Sequence, residues 1–227
     1  METRSMRRPS FATLSAAHRG GADCLCLCET NGGCIPSQVT EIVRVVRKNF
    51  PDARIGIHAH NDSGCGVANS LVAIEAGATH VQGTINGYGE RCGNANLIPI
   101  IANLELKMGR KTVGAKRLTQ LTEISRYVDE LANQIPDVRA PYVGRTCFTH
   151  KGGIHVSAVL RNARTYEHID PVSVGNRRRV LVSDQSGRSN LEYKIKELGL
   201  AIDSKSPEVL SALGMLKQME NRGYEFE

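Results

Sequence analysis

The sequence predicts an α/β fold of parallel strand–helix units, a partial (β/α)8 TIM barrel, and three observations lead there. Short apolar runs begin near residues 24, 54 and 80, a repeat of under about 30 residues of the kind that βα units give. Each run ends in a polar turn rich in Gly, Asn or His, and each turn opens into a segment with helical apolar spacing. Polar residues therefore gather at the C-terminal ends of the strands, where parallel βα folds collect their chemistry. An open doubly wound sheet fits the same rhythm, but no Gly-x-Gly-x-x-Gly opens a helix after the first run, which favours the barrel. A complete barrel takes about 250 residues, so three units amount to only part of one.

The elements follow in order. Phe11, Leu14 and Ala17 suggest one helix face ahead of the first strand. Residues 22–28 form the first apolar run and Glu29-Thr30-Asn31-Gly32-Gly33 its turn, after which Val39, Ile42, Val43 and Val46 recur at helical spacing until Pro51. The run 53–57 ends at His58-Ala59-His60-Asn61-Asp62, and a helix over about 66–76 stops at Gly77. The run 80–85 opens into the loop Asn86 to Asn94 and a helix carrying Leu97, Ile100, Ile101 and Leu104. The second half reads as a mostly helical linker region. Leu118, Leu121, Ile124, Val128 and Leu131 predict one helix over 115–133, Val180-Leu181-Val182 a short strand, and Leu191, Ile195 and Leu198 another helix. Ser206-Pro207-Glu208 reads as a cap, a proline and an acid opening the last helix, which runs to Gly223.

Composition excludes several classes. The 227 residues are 41% hydrophobic and 23% charged, too aliphatic and too balanced for a disordered chain. No apolar run approaches the ~18–20 residues of a membrane span, so no membrane partner is expected. Seven cysteines, an odd number, read as free thiols in a reducing compartment, hence a cytoplasmic location. An Arg- and Ser-containing start resembles an organelle transit peptide only faintly. The net charge of +6 is concentrated in residues 1–20 and 174–196. Arg177-Arg178-Arg179 could meet coenzyme phosphates or form a solvated edge. With no Trp, base stacking is poorly supplied and no nucleic-acid partner is expected.

His58 and His60 lie two apart at a strand end, so both imidazoles face one side of the sheet and can meet one divalent ion. A polar strand edge is the other reading. Asn94, after the next strand, can add an amide oxygen. Mg²⁺ or Mn²⁺ needs a carboxylate as well, from Asp62, Glu90 or a strand outside the sequence, and Zn²⁺ stays open. Cys24, Cys26 and Cys28 share a face without zinc-site spacing and read as buried small apolar residues. Asn86 to Gly93 reads either as a flexible loop able to close over a substrate or as a plain long βα loop. His150 and His155 flank Lys151-Gly152-Gly153-Ile154, a glycine hinge suited to an acid–base lid, or are ordinary surface histidines.

Three strings, Gly56-Ile57-His58-Ala59-His60-Asn61-Asp62-Ser63-Gly64, Gly83-Thr84-Ile85-Asn86-Gly87-Tyr88-Gly89-Glu90-Arg91-Cys92-Gly93-Asn94 and Phe148-Thr149-His150-Lys151-Gly152-Gly153-Ile154-His155, resemble the 2-isopropylmalate, homocitrate and citramalate synthases. That family of metal-dependent acyl-CoA condensing barrels also includes 3-hydroxy-3-methylglutaryl-CoA lyase, and the wording here looks most like its citramalate branch. The likeness runs from about residue 10 to the end. It implies that His58, His60 and Asn94 hold the metal at the seventh and eighth strands. Thr30 would hydrogen-bond the carboxylate of a 2-oxo acid, and Glu90 matches an active-site glutamate. His155, with His150 as second choice, would come from the partner subunit of a homodimer for acid–base chemistry, and Tyr166 would lie beside acetyl-CoA, the co-substrate.

The implied reaction condenses acetyl-CoA with a 2-oxo acid, giving citramalate and CoA from pyruvate, in branched-chain amino-acid biosynthesis. Residues 1–110 would be the C-terminal part of the catalytic barrel, and 111–227 helical linker subdomains leading to a regulatory domain outside the sequence. The family's Arg-Asp pair on its first strand lies outside the sequence too, so this chain alone is expected to be inactive. The alternatives are isopropylmalate or homocitrate synthase activity, a non-catalytic remnant, a metal-dependent hydrolase that also uses His-x-His, and a basic nucleic-acid binder.

Overall fold

The computed structural model describes residues 7–181, 188–203 and 206–224. It divides the chain into two units, Met1–Arg110 and Lys111–Glu227.

In the first unit, the alternating pattern and its glycine-rich breaks produce α1 (Arg7–Arg19), β1 (Leu25–Glu29), α2 (Pro36–Asn49), β2 (Ile55–Ala59), α3 (Gly66–Glu75), β3 (His80–Gln82) and α4 (Leu97–Leu106). The strands form one sheet in the order β1-β2-β3, with both pairings parallel. Pro36 supplies the fixed φ of a first helical turn, and Gln38 Oε1 accepts the Ile35 N–H at 3.1 Å. Alternation then sorts the strand side chains. Leu25, Ile55, Ile57 and Ala59 point to the helices and form the core with Val39, Val43, Val46, Ala73, Ile100 and Leu104. Phe11 and Leu14 of α1 pack against that core, Phe11 stacking on Phe50. Arg47 ties α2 to the end of α3 by donating to the carbonyls of Ala53 and Gly77, each at 2.7 Å.

The opposite face of the sheet carries Cys24, Cys26 and Cys28, then Gly56 and His58, then His80 and Gln82, set level by the register Cys26↔Gly56↔His80 and Cys28↔His58↔Gln82. A Cβ on Gly56 would lie 3.0 Å from the His80 ring and 3.2 Å from the sulfurs of Cys24 and Cys26, so these side chains converge over the glycine. The three cysteines are therefore not core residues. Cys24 and Cys26 are half-buried and Cys28 is exposed, because the apolar helices cover only the other face.

β3 ends earlier than the apolar run suggests. Gly83 lies where the Ala95 carbonyl oxygen passes, a Cβ there would collide with it, and a single turn over Ile85–Gly87 follows.

The second unit comprises α5 (Ala115–Leu118), α6 (Leu121–Leu131), β4 (Thr149–His150), α7 (Gly153–Arg161), β5 (Arg179–Val180), α8 (Arg188–Glu197) and α9 (Pro207–Glu220). The single helix expected over 115–133 is two. Gly175 sits against the Thr119 carbonyl, and Thr122 Oγ1 donates to the Val174 carbonyl at 2.7 Å, so the 171–175 turn docks at the break. β5 pairs in parallel with β4, His150 opposite Val180. Val182 of the expected strand lies outside the described residues. Ser206 caps α9 by accepting the Val209 N–H, and the helix ends at Glu220, ahead of Gly223. Asn176 is buried and donates to the carbonyls of Tyr142 and Gly144, both at 3.0 Å, pinning the 142–144 turn.

Candidate metal and substrate site

The C-terminal ends of β1, β2 and β3 carry Thr30, then His58 and His60, then the loop with Glu90 and Asn94. Parallel pairing puts these ends side by side. The β1–β2 register runs to Glu29↔Ala59, and Thr30 and His60 are the residues that follow it on the two strands. The rings of His58 and His60 are 5.3 Å apart, and an isolated antiparallel bridge joins His60 to Asn94.

Glycines hold Asn94 there. The loop from Asn86 to Gly93 is folded back on itself: the Asn94 backbone N–H donates to the Gly87 carbonyl at 3.0 Å and the Gly93 N–H to the Glu90 carbonyl at 2.9 Å. Gly93 has φ +86, and a Cβ on it would collide with the Gly87 oxygen, so only glycine permits this turn. Asn94 Nδ2 donates to the Tyr88 carbonyl at 3.0 Å, which turns its Oδ1 the other way.

Asn94 Oδ1 and His60 Nδ1 are both buried without a hydrogen-bond partner among the described residues. Leaving a buried acceptor unmade costs about 1–3 kcal/mol, and a cation bound by both atoms removes that cost. The residues thus fit a divalent metal as neutral donors, two imidazoles and one amide oxygen. They do not complete its shell. Among the described residues no three His, Cys, Asp or Glu side chains are placed to hold an ion.

Asp62, one candidate carboxylate, is engaged elsewhere. Arg91 donates to it through Nε at 2.7 Å and Nη2 at 3.0 Å, and Nη2 also donates to the Thr30 carbonyl at 2.6 Å. These bonds hold the Asp62 carboxyl below its ordinary pKa. Arg91, in sequence one residue of the glycine-rich motif, joins the loops after all three strands. Its sequence signal was a single cation among loop glycines, and its left-handed φ of +56 becomes visible only in the structure. Glu90, beside it, is exposed at the tip of the loop. Glu29 has a structural task that sequence reasoning did not assign. Its Oε1 accepts the N–H groups of Gly33 and Cys34, shaping the turn into α2.

In the second unit His150 and His155 differ sharply. His150 is 7% exposed, and its Nε2 lies 3.0 Å from Glu167 Oε1. Both Glu167 oxygens also accept from Arg178, at 2.6 and 2.5 Å. Burial raises the Glu167 carboxyl, but the Arg178 and His150 hydrogen bonds outweigh it and hold the group below the usual range. Arg178 is thus drawn out of the basic run read as a phosphate site or solvated edge. His155 is exposed and stacks on Tyr166 at a centroid distance of 4.3 Å.

Residues 2–128 match the HMGL-like family, and residues 142–223 match the homocitrate synthase post-HMGL domain-like family. The chain belongs to the HMGL-like family, and its three parallel βα units are part of that family's TIM barrel.

Among curated proteins the chain is similar to the (R)-citramalate synthase of Aquifex aeolicus, 53% identical over 96% of this chain and 42% of that protein. It is likewise similar to the (R)-citramalate synthases of Geobacter sulfurreducens, at 55% over 96% and 42%, and of Synechocystis, at 52% over 96% and 41%. The chain thus spans about two fifths of the length of these relatives. Among solved structures it is similar to an HMG-CoA lyase of Bacillus subtilis, with 28% identity, a TM-score of 0.48, and coverage of 54% of this chain and 43% of that one. No helix among the described residues is long and apolar enough to cross a membrane.

Proposed function

We propose that this chain is part of an acyltransferase of the citramalate synthase kind, which condenses acetyl-CoA with a 2-oxo acid, pyruvate, to give citramalate and CoA in branched-chain amino-acid biosynthesis. The observation that carries the reading is a pair of buried polar atoms without a partner among the described residues, His60 Nδ1 and Asn94 Oδ1, in segments joined by an isolated bridge. The identity to citramalate synthases across 96% of the chain supports this reaction over others of the family.

In this reading His58, His60 and Asn94 hold a divalent metal, Mg²⁺ or Mn²⁺, with a carboxylate from outside the described residues. When bound, the ion supplies Lewis-acid polarisation of the keto group. Thr30, at the adjoining strand end, donates its hydroxyl to the substrate carboxylate, and Glu90 lies at the mouth of the site. Arg91 balances Asp62, so that carboxylate does not repel an anionic substrate. His155, the exposed imidazole, moves the proton at the reacting centre. Tyr166, stacked on its ring, lies along the acyl-CoA. In the complete enzyme these two side chains are contributed across a homodimer, and the enzyme is cytoplasmic.

The test is to supply this chain with the remainder of a curated relative and follow free CoA with a thiol reagent. Pyruvate-dependent release from acetyl-CoA, lost on treatment with a chelator and restored by Mn²⁺, is expected. A folded complex that releases no CoA with pyruvate overturns the reading.

A further inference from the structure

The second unit contains a buried ionic cluster with no place in the reaction described above. Glu167 is 4% exposed and is the acceptor for two different elements, His150 at the end of β4 and Arg178 just before β5. An ionised carboxylate only accepts, so the hydrogen in the contact with His150 sits on His150 Nε2. That nitrogen is therefore committed, and His150 has no free lone pair there to take a substrate proton.

The cluster lies at a particular place in the chain. His150 precedes the Lys151-Gly152-Gly153 hinge that leads to His155 in the first turn of α7, and Glu167 immediately follows Tyr166. The contact between His150 and Glu167 therefore closes a segment whose two ends carry the stacked rings of His155 and Tyr166. A second contact repeats the closure one step out: His168 stacks on Phe148 at 6.1 Å and meets Tyr142 edge-on at 5.1 Å. Gly152 has no atom within 4 Å of a would-be Cβ, while the backbone on either side of it is held by α8: Asn190 Nδ2 donates to the Lys151 carbonyl at 2.9 Å and Ser189 Oγ to the Gly153 carbonyl at 3.1 Å. The exposed His155 ring meets the Tyr166 ring, and the turn that carries Tyr166 is closed by the Tyr166 N–H to Ala163 carbonyl bond at 3.2 Å and anchored inward by the buried Glu167 side chain.

We propose that Glu167 is a positioning residue: by joining His150 to Arg178 it anchors the turn that carries Tyr166, and through the Tyr166 ring it sets the orientation of the exposed His155 imidazole. The assignment of a proton-transfer role to His155 rests on the reading above, whereas the fixing of the ring does not.

The experiment uses the full chain with ¹³C-labelled histidine and reads the ring-proton shift that Tyr166 imposes on His155. Tyr166→Leu defines the unstacked value. Glu167→Gln keeps the volume but weakens the acceptor, and should move the His155 signal at least halfway to that value. Glu167→Ala should move it the whole way. Val174→Ala, in the same unit and buried, should lower the melting temperature without moving the signal. A folded Glu167→Gln protein with the wild-type His155 shift overturns the proposal, even if Glu167→Ala fails to fold. In the complemented enzyme Glu167→Gln should lower kcat about a hundredfold with KM for pyruvate nearly unchanged. If His155→Asn leaves CoA release intact while Glu167→Gln still frees the ring, the proton-transfer reading fails and the positioning inference stands.

Discussion

Replacing Gly93 by alanine separates the loop that presents Asn94 from the core that supports it. At φ +86 a side chain is strained by about 1–2 kcal/mol. The added methyl also strikes the Gly87 carbonyl oxygen, a backbone atom that cannot swing aside, at a typical cost of about 1–3 kcal/mol. That oxygen accepts the Asn94 amide at 3.0 Å, and displacing it forfeits about 1 kcal/mol more. The total, about 4 kcal/mol, falls on the loop over residues 83–96, whose opening leaves the α2 and β2 core packed. Amide exchange at Asn94 and Ala95 should accelerate about a thousandfold, at 1.4 kcal/mol per decade, and Mn²⁺ binding should weaken with it. Gly64→Ala is the control. It has φ +72 but open space around its Cβ, and should pay only the backbone strain. Unchanged exchange at Asn94 together with unchanged Mn²⁺ affinity in the Gly93 variant would refute the claim that this turn holds the amide in place.

His60→Ala should weaken Mn²⁺ binding, followed by the ion's paramagnetic resonance, by about tenfold or more, a loss of the size that removing even a supporting group causes. Asn176→Ala removes a buried donor from the Tyr142 and Gly144 carbonyls, the latter keeping Cys147, and should destabilise the second unit by about 1–3 kcal/mol in urea unfolding. Burial pushes the thiols of Cys26 and Cys147 up to about 11, so iodoacetamide at pH 8 should label exposed Cys28 and Cys92 first. The Glu167 carboxyl is held below its unfolded value, so its contribution is fully present above the ordinary carboxylate range and is lost as pH falls through the depressed folded value. Acid unfolding of the second unit should therefore move to higher pH in Glu167→Gln.

The periodicity of the chain determined the α/β class, the three strands and the helices between them, because apolar spacing is a local property set by which face each residue must bury. Leu25, Ile55 and Ile57 could be assigned to the core for that reason, and His58 and His60 to one face of a strand end. What local pattern could not reveal was where long-range approach overrides it. The 115–133 helix breaks because Val174 and Gly175, more than 50 residues later, dock at Thr119 and Thr122. The cysteine face reads as apolar but lies away from the helices.

The same limit applies at the site. Motif and resemblance marked His58, His60, Asn94, Thr30, Glu90, His155 and Tyr166, but charge partners are chosen in three dimensions. Asp62 pairs with Arg91 across 29 residues, and His150 meets Glu167 across 17. One carboxylate is thereby withdrawn from the list of metal ligands and one histidine from the exposed imidazoles. The sequence by itself determined which residues could do chemistry, through their type and their place at strand ends. Only the tertiary structure decided which were already committed to each other, because hydrogen-bonded charges are paired by distance in space and not by spacing along the chain.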